Sequence, residues 1–233
     1  MCGRYTLFVD RAEVEERFDA EFEEPFAPRY NAAPGQRLPI LTNDEPETFQ
    51  RLEWGLLPAW ADGDGDRLIN ARAEAAAEKP SFREAYERRR CLVPADGFYE
   101  WVDEGDGRKR PYRIAFEDNR PFAMAGLWER WEPDTTQTGL DAFGGGSTDA
   151  DDPVNVRETF AILTTEPNEV VADLHHRMAV VLDPDAERPW LDGEDSPEFF
   201  EPHPADDMHA YPVSRAVNDP SNDDPSIVRP VEP

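Results

Sequence analysis

Apolar positions along the chain fall into short runs bounded by Gly, Pro, Asn and Asp. Residues 37–42, 48–56, 91–93, 98–102, 112–116, 122–128 and 159–164 are rich in β-branched and aromatic side chains, which predicts strands. An Asn43-Asp44-Glu45-Pro46 turn separates the first two, and Gly105 to Gly107 make a hairpin turn later on. Residues 179–182 give one more short strand. Helical patterning is rarer. Asp10 caps a predicted helix ending at Phe18, with Glu13 in its first turn and Ala12, Val14 and Phe18 as its apolar positions. Residues 71–90 are helix-friendly but broken near Pro80, with Ser81 placed to cap a second helix over 82–90. Residues 167–174 form a further short helix. Many short strands with few helices predict one α+β domain with a curved, mostly antiparallel, barrel-like sheet.

Polar stretches set the limits of that domain. Residues 132–155 are low in complexity, with Gly144-Gly145-Gly146-Ser147 among scattered acids. They read as a disordered acidic insertion, because strand-like segments resume after them. Ala61 to Asp66 reads as a flexible acidic loop, and the tail 219–233 is polar, proline-rich and expected to be loose. The domain is therefore placed at 1–218. No apolar run reaches membrane-span length and no signal peptide opens the chain, so a cytoplasmic monomer is expected. Two cysteines, Cys2 and Cys91, fit a reducing compartment better than a disulfide scaffold.

Charge changes the picture. The formal net charge is −27, which on its face argues against a nucleic-acid partner. Yet only Lys79 and Lys109 are lysines; every other cation is arginine. Acid-rich, lysine-poor surfaces suit molar salt, where the Debye length of about 3 Å screens self-repulsion. The acids are also uneven. Residues 131–233 hold five Lys/Arg against 24 Asp/Glu, so the arginines gather earlier and a local basic cleft is compatible with the global sign.

Candidate chemistry begins at position 2. Removal of Met1 would leave Cys2 with a free α-amine and a thiol on adjacent carbons, able to attack one electrophile. Four further runs carry polar residues among apolar ones: Arg29 to Gly35, Ile69 to Glu74, Cys91 to Trp101 and Asp173 to Met178. Taken residue by residue, each has a plain structural reading. Asn70 suits a helix N-cap, and Arg72 could pair with Glu74 on the surface. Glu100 could point to solvent between Tyr99 and Trp101, and Trp60 could lie in the core. The His175–His176 pair has no further ligands at metal spacing, so no metal is assigned. No phosphate-cradling glycine motif occurs, so no nucleotide cofactor is expected.

In order and anchored at position 2, the runs closely resemble the SRAP family of abasic-site processing proteins, from residue 2 to about 218. The resemblance implies a covalent thiazolidine crosslink between Cys2 and an abasic site in single-stranded DNA. The alternative is a thiol-dependent peptidase that removes its own leader. It assigns Cys2 as nucleophile and Asn70 as holder of the sugar or the terminal amine. Glu100 would move protons, and His175 would be the general acid. It further implies DNA contacts at Arg4, Asn31, Trp60, Arg72 and Thr164. Two departures stand out: His176 where the family more often has an acid, and Ala179 where it prefers proline. The charge pattern predicts that dilution from molar into low salt unfolds the protein reversibly. Circular dichroism across a salt series checks this, and full stability without salt would refute it.

Overall fold

A computed structural model of the chain describes residues 2–61, 65, 67–105, 107–133 and 156–232. In chain order its strands and helices are β1 (Tyr5–Leu7), α1 (Arg11–Phe18), β2 (Glu21–Phe22), β3 (Arg29–Ala32), β4 (Arg37–Thr42) and β5 (Thr48–Trp54). Then come β6 (Asn70–Arg72), α2 (Ala73–Ala76), α3 (Arg83–Arg88), β7 (Arg90–Ala95), β8 (Gly97–Asp103), β9 (Lys109–Phe116) and β10 (Phe122–Trp131). The chain ends with β11 (Arg157–Thr165), α4 (Glu169–Ala172), β12 (Met178–Ala179), β13 (Val181–Leu182), α5 (Pro184–Leu191) and β14 (Met208–Pro212).

Strands β5, β4, β7, β10 and β11 pair antiparallel in that order. A parallel contact, Thr159 to Glu53 and Phe160 to Trp54, closes them into a barrel. The closure removes the open edges that a curved sheet would otherwise expose. Every residue of β7 is buried, because α5 and α3 cover the outer face while the barrel fills the inner one. That double burial is why 91–93 and 122–128 read as continuous apolar runs rather than alternating ones. A second sheet, β14-β9-β8-β1-β3, carries the N-terminus.

One residue, Asp96, joins the two sheets between β7 and β8. Its carboxylate accepts hydrogen bonds from the Thr6 hydroxyl and from the backbone N–H groups of Phe8 and Val9. It also pairs with Arg113 at 3.0 Å, and both side chains are sealed from solvent. Arg113 donates as well to the Asp96 carbonyl, Asn119 and Tyr211. The guanidinium lies flat across Gly97, where an added Cβ would fall 2.7 Å from its nitrogens. No other residue type fits there without displacing the ion pair.

Three sequence expectations are corrected. The stretch 71–90 is not mainly helical: Asn70–Arg72 is a strand bonded to β11, which leaves only the short helices α2 and α3. Asp10 and Ser81 make no capping hydrogen bond, and the residue at the start of α3 is Phe82. The tail is not loose. Asp223 accepts from the N–H groups of Tyr30 and Asn31 and pairs with Arg29, while Ile227 is buried beside Tyr99 and Val217. The acidic insertion lies, from residue 134 to 155, outside the described residues, as do 62–64 and 66 of the loop after Trp60.

Replacing Arg113 by Met leaves the Asp96 carboxylate buried without its counter-charge. A loss of about 3–5 kcal/mol in unfolding free energy is expected, read from urea melts at constant high salt. A change within error would show that the pair does not hold the junction.

Candidate functional site

Cys2 enters the core just before β1 and is completely buried. Its carbonyl accepts a 2.9 Å hydrogen bond from the Asn70 amide nitrogen. Asn70 is placed by the parallel pairing of β6 with β11 (Asn70 opposite Ile162) and by Trp54, whose indole N–H donates to the Ile69 carbonyl at 2.9 Å. It is not a helix cap, since the cap position of α2 is Arg72. Its buried Oδ1 has no hydrogen-bond partner, an acceptor left over beside the terminal residue. Burial pushes the Cys2 thiol pKa far up, and the neighbouring charge of Glu100 adds to this. The thiol therefore rests protonated.

Glu100 is 2% exposed, so it does not point to solvent. Strand β8 is covered on both faces. Phe98 belongs to the main core and Tyr99 to a smaller cluster with Val213, Val217 and Ile227. Alternation puts Glu100 on the Phe98 side. Burial raises its pKa, opposed by the positive chain terminus. A carboxyl raised toward neutrality is suited to passing protons.

His175 follows α4 and is half-buried. Its Nδ1 lies 3.0 Å from both the N–H and the carbonyl of Arg177, and the N–H donates to it. In the neutral ring that leaves the proton on Nε2. Burial lowers its pKa, which keeps the ring neutral near pH 7. His176 is exposed, its ring centroid 4.2 Å from that of His175, and its pKa is lowered first by that neighbour's charge. Of the two rings, His175 is the one held by hydrogen bonds and half-buried, while His176 is exposed.

Asn70, Arg72, Lys79, Phe82, Thr164, His175, His176 and Arg177 line a groove of about 400 Å³ together with Ala71. No acid lines it. Three other depressions among the described residues are each lined by three or more carboxylates, one of them by Glu74, Glu166 and Glu201. On a chain of net charge −27 this makes the groove a local basic cleft. Arg72 is exposed and pairs with no acid among the described residues; Glu74 pairs instead with Arg177 at 2.8 Å. Arg4 donates to the Gly3 carbonyl, but its buried Nε has no partner. Thr164 is buried and donates to the Ala71 carbonyl at 3.3 Å. Trp60 is 69% exposed, which excludes a core role and leaves its ring free to stack.

The structure thus brings Cys2, Asn70, Glu100 and His175 to one place. It does not bring Asn31 there. That side chain is sealed, and its amide nitrogen donates to the carbonyls of Val217, Asp219 and Asn222 at 2.9–3.1 Å. Asn31 straps the C-terminal segment to β3 instead of meeting DNA. The run Pro212 to Asn218 is likewise structural, since Asn218 accepts from the Trp101 indole. Sequence reasoning missed Lys79 and Arg177 as groove residues. For Lys79 the signal was present, as one of two lysines in the whole chain.

Among the described residues no helix is long and apolar enough to cross a membrane, and no group of three or more His, Cys, Asp or Glu is arranged to hold a metal ion. Comparison with known proteins gives a match of residues 1–220 to the family model described as SOS response associated peptidase (SRAP). The chain is similar to abasic site processing protein YoqW of Bacillus subtilis, at 38% identity over 98% of this chain and 99% of that one. It is also similar to abasic site processing protein YedK of Escherichia coli, at 32% identity over 99% and 100%. The crystal structure of a Bacteroides thetaiotaomicron protein superposes with a TM-score of 0.81 at 28% identity, covering 99% and 100%.

A raised folded-state pKa means that Glu100 adds stability below the ordinary carboxylate range and loses it as pH rises through the folded value. Glu100→Gln is therefore expected to be more stable than the natural protein at about pH 7, with the gap closing toward about pH 4. Urea midpoints at fixed salt measure this. A less stable variant at neutral pH would contradict the cost assigned to the buried carboxylate.

Proposed function

The chain belongs to the SOS response associated peptidase (SRAP) family, and from that premise we propose that it processes abasic sites in single-stranded DNA by covalent capture on Cys2. What supports this reading is an aminothiol residue that feels the charge of Glu100 and is hydrogen-bonded to Asn70, itself a lining residue of a groove without acids. We also propose that it acts as a cytoplasmic monomer.

The chemistry follows from the groups present. An abasic deoxyribose must open from hemiacetal to aldehyde. His175, with its proton on Nε2, gives that proton to the ring oxygen while a base takes the hydroxyl proton. Once Met1 is gone, the Cys2 α-amine adds to the aldehyde carbon. Loss of the resulting hydroxyl as water, with a proton supplied by Glu100 or His175, leaves an imine. The thiol then adds to the same carbon and its proton passes to Glu100. The balance is one aldehyde plus one aminothiol giving one thiazolidine and one water. Burial holds the thiol protonated, so the amine attacks first and sulfur closes the ring only on an activated carbon. The orphan Asn70 Oδ1 is an acceptor for the amine N–H, and Arg72 and Arg4 offer charge to the flanking phosphates.

A peptidase activity confined to the Met1–Cys2 bond is the second reading, favoured by the family description. The same buried thiol argues against cleavage of external peptides.

One experiment tests both. Mature and Met1-retaining protein are incubated with an oligonucleotide carrying an abasic site across a salt series. The mature protein is expected to give a heat-stable shifted band that Cys2→Ala abolishes completely. Met1-retaining protein should give none until its mass falls by one methionine. Absence of a band at every salt concentration would refute the capture reading, and a stable Met1-retaining mass would refute self-processing.

A further inference from the structure

Glu74 stands in the first turn of α2, four residues from Asn70, and takes no direct part in the chemistry above. Its carboxylate grips the Arg177 guanidinium bidentately, with both bonds at 2.8 Å. Burial works against that carboxylate, yet the hydrogen bonds from Arg177 hold its pKa below the ordinary range, so the pair is charged on both sides at neutral pH. Arg177 also donates to the Thr164 carbonyl on β11 and is only 12% exposed. The side chain is therefore fixed to two rigid elements, α2 and β11.

The main chain of this same residue holds His175. Its N–H donates to Nδ1 at 3.0 Å, and its carbonyl lies at the same distance. The first contact suits the neutral ring, whose Nδ1 accepts. The second suits the charged ring, whose Nδ1–H donates. One backbone unit offers a partner in each protonation state of the histidine, provided it stays in place. Nothing in the 174–178 loop besides the Arg177 side chain makes a comparable grip on α2.

We propose that Glu74 is a positioning residue for His175, acting through Arg177. The proposal rests on the abasic-site reading for its rate test but not for its spectroscopic one. In imidazole nitrogen NMR the natural protein is expected to show Nε2 protonated and Nδ1 as acceptor. Glu74→Gln is expected to average the two tautomers while the fold, read by circular dichroism, persists. A tautomer unchanged in Glu74→Gln would overturn the proposal even if the protein never touched DNA.

In single-turnover crosslinking, Glu74→Gln is expected to slow the reaction about tenfold, a fraction of what a general acid supplies, with DNA affinity unmoved. Combining it with His175→Ala should slow the reaction no further than His175→Ala alone. Additive losses, or a change in affinity only, would show that Glu74 acts on the fold or on phosphate binding instead. Arg177→Lys keeps the main chain but loses the bidentate grip, and it should follow Glu74→Gln if that variant proves too unstable to assay.

Discussion

The placement of the reactive terminus depends on the buried contact between Asp96 and Arg113. A chain end is ordinarily the loosest part of a domain. Here the strand that follows Cys2 is fastened at its centre and just past its end, because Asp96 takes Thr6, Phe8 and Val9 together while Arg113 neutralises it. Asp96 is also the single residue between the barrel strand β7 and the site strand β8. The same carboxylate therefore fixes the end that carries Cys2 and the strand that carries Glu100. Such an ion pair is poor value as stability compared with an apolar filling. Its geometric effect is what no apolar filling reproduces, since it sets the separation between terminus and carboxyl.

Electrostatics then decides where a polyanion can approach. A net charge of −27 would repel DNA over most of the surface at low salt. The groove at Asn70 escapes this because no acid lines it, and Glu74, next along the chain on α2, is paired with Arg177. Arg72, Lys79 and the histidines are left to face the opening. High salt screens the distant acids more than contacts made at bonding distance. An acidic surface with a small acid-free cleft therefore favours the approach of a polyanion at that cleft over the rest of the surface.

Much of the fold was legible because barrel strands covered on both faces leave continuous apolar runs, and Arg37–Thr42 is the clearest instance. Glu100 interrupts such a run, but the pattern alone left it free to face solvent; the family resemblance made it a candidate, and the fold shows it buried. What escaped reading has a common cause: partners far apart in sequence. Asn31 was expected to be a DNA contact on the family resemblance alone. Its partners lie 186 to 191 positions away, in a tail whose composition suggested disorder. For Asn70, assigned by resemblance to hold the sugar or the terminal amine, a helix cap was the plain structural alternative. Its pairing with β11, across the acidic insertion, overrides that local preference. Arg177 and Glu74 each read as ordinary surface charges, and only the fold makes them neighbours.

Burial of the thiol and burial of the carboxyl solve one problem together. A thiolate exposed at a chain end would be oxidised or would attack indiscriminately. Sealing it removes that reactivity, but it also removes the nucleophile. In the mechanism proposed above, Glu100 would restore it conditionally, its carboxyl accepting the thiol proton as sulfur adds to an electrophilic carbon. That carbon exists only after the amine has condensed with an aldehyde. The reaction therefore needs a ligand that presents an aldehyde to the amine before it can engage the thiol, and an intact nucleotide, whose sugar cannot open, offers none. Selectivity for base-less sugar then arises from the order of two bond-forming steps as well as from the shape of the groove.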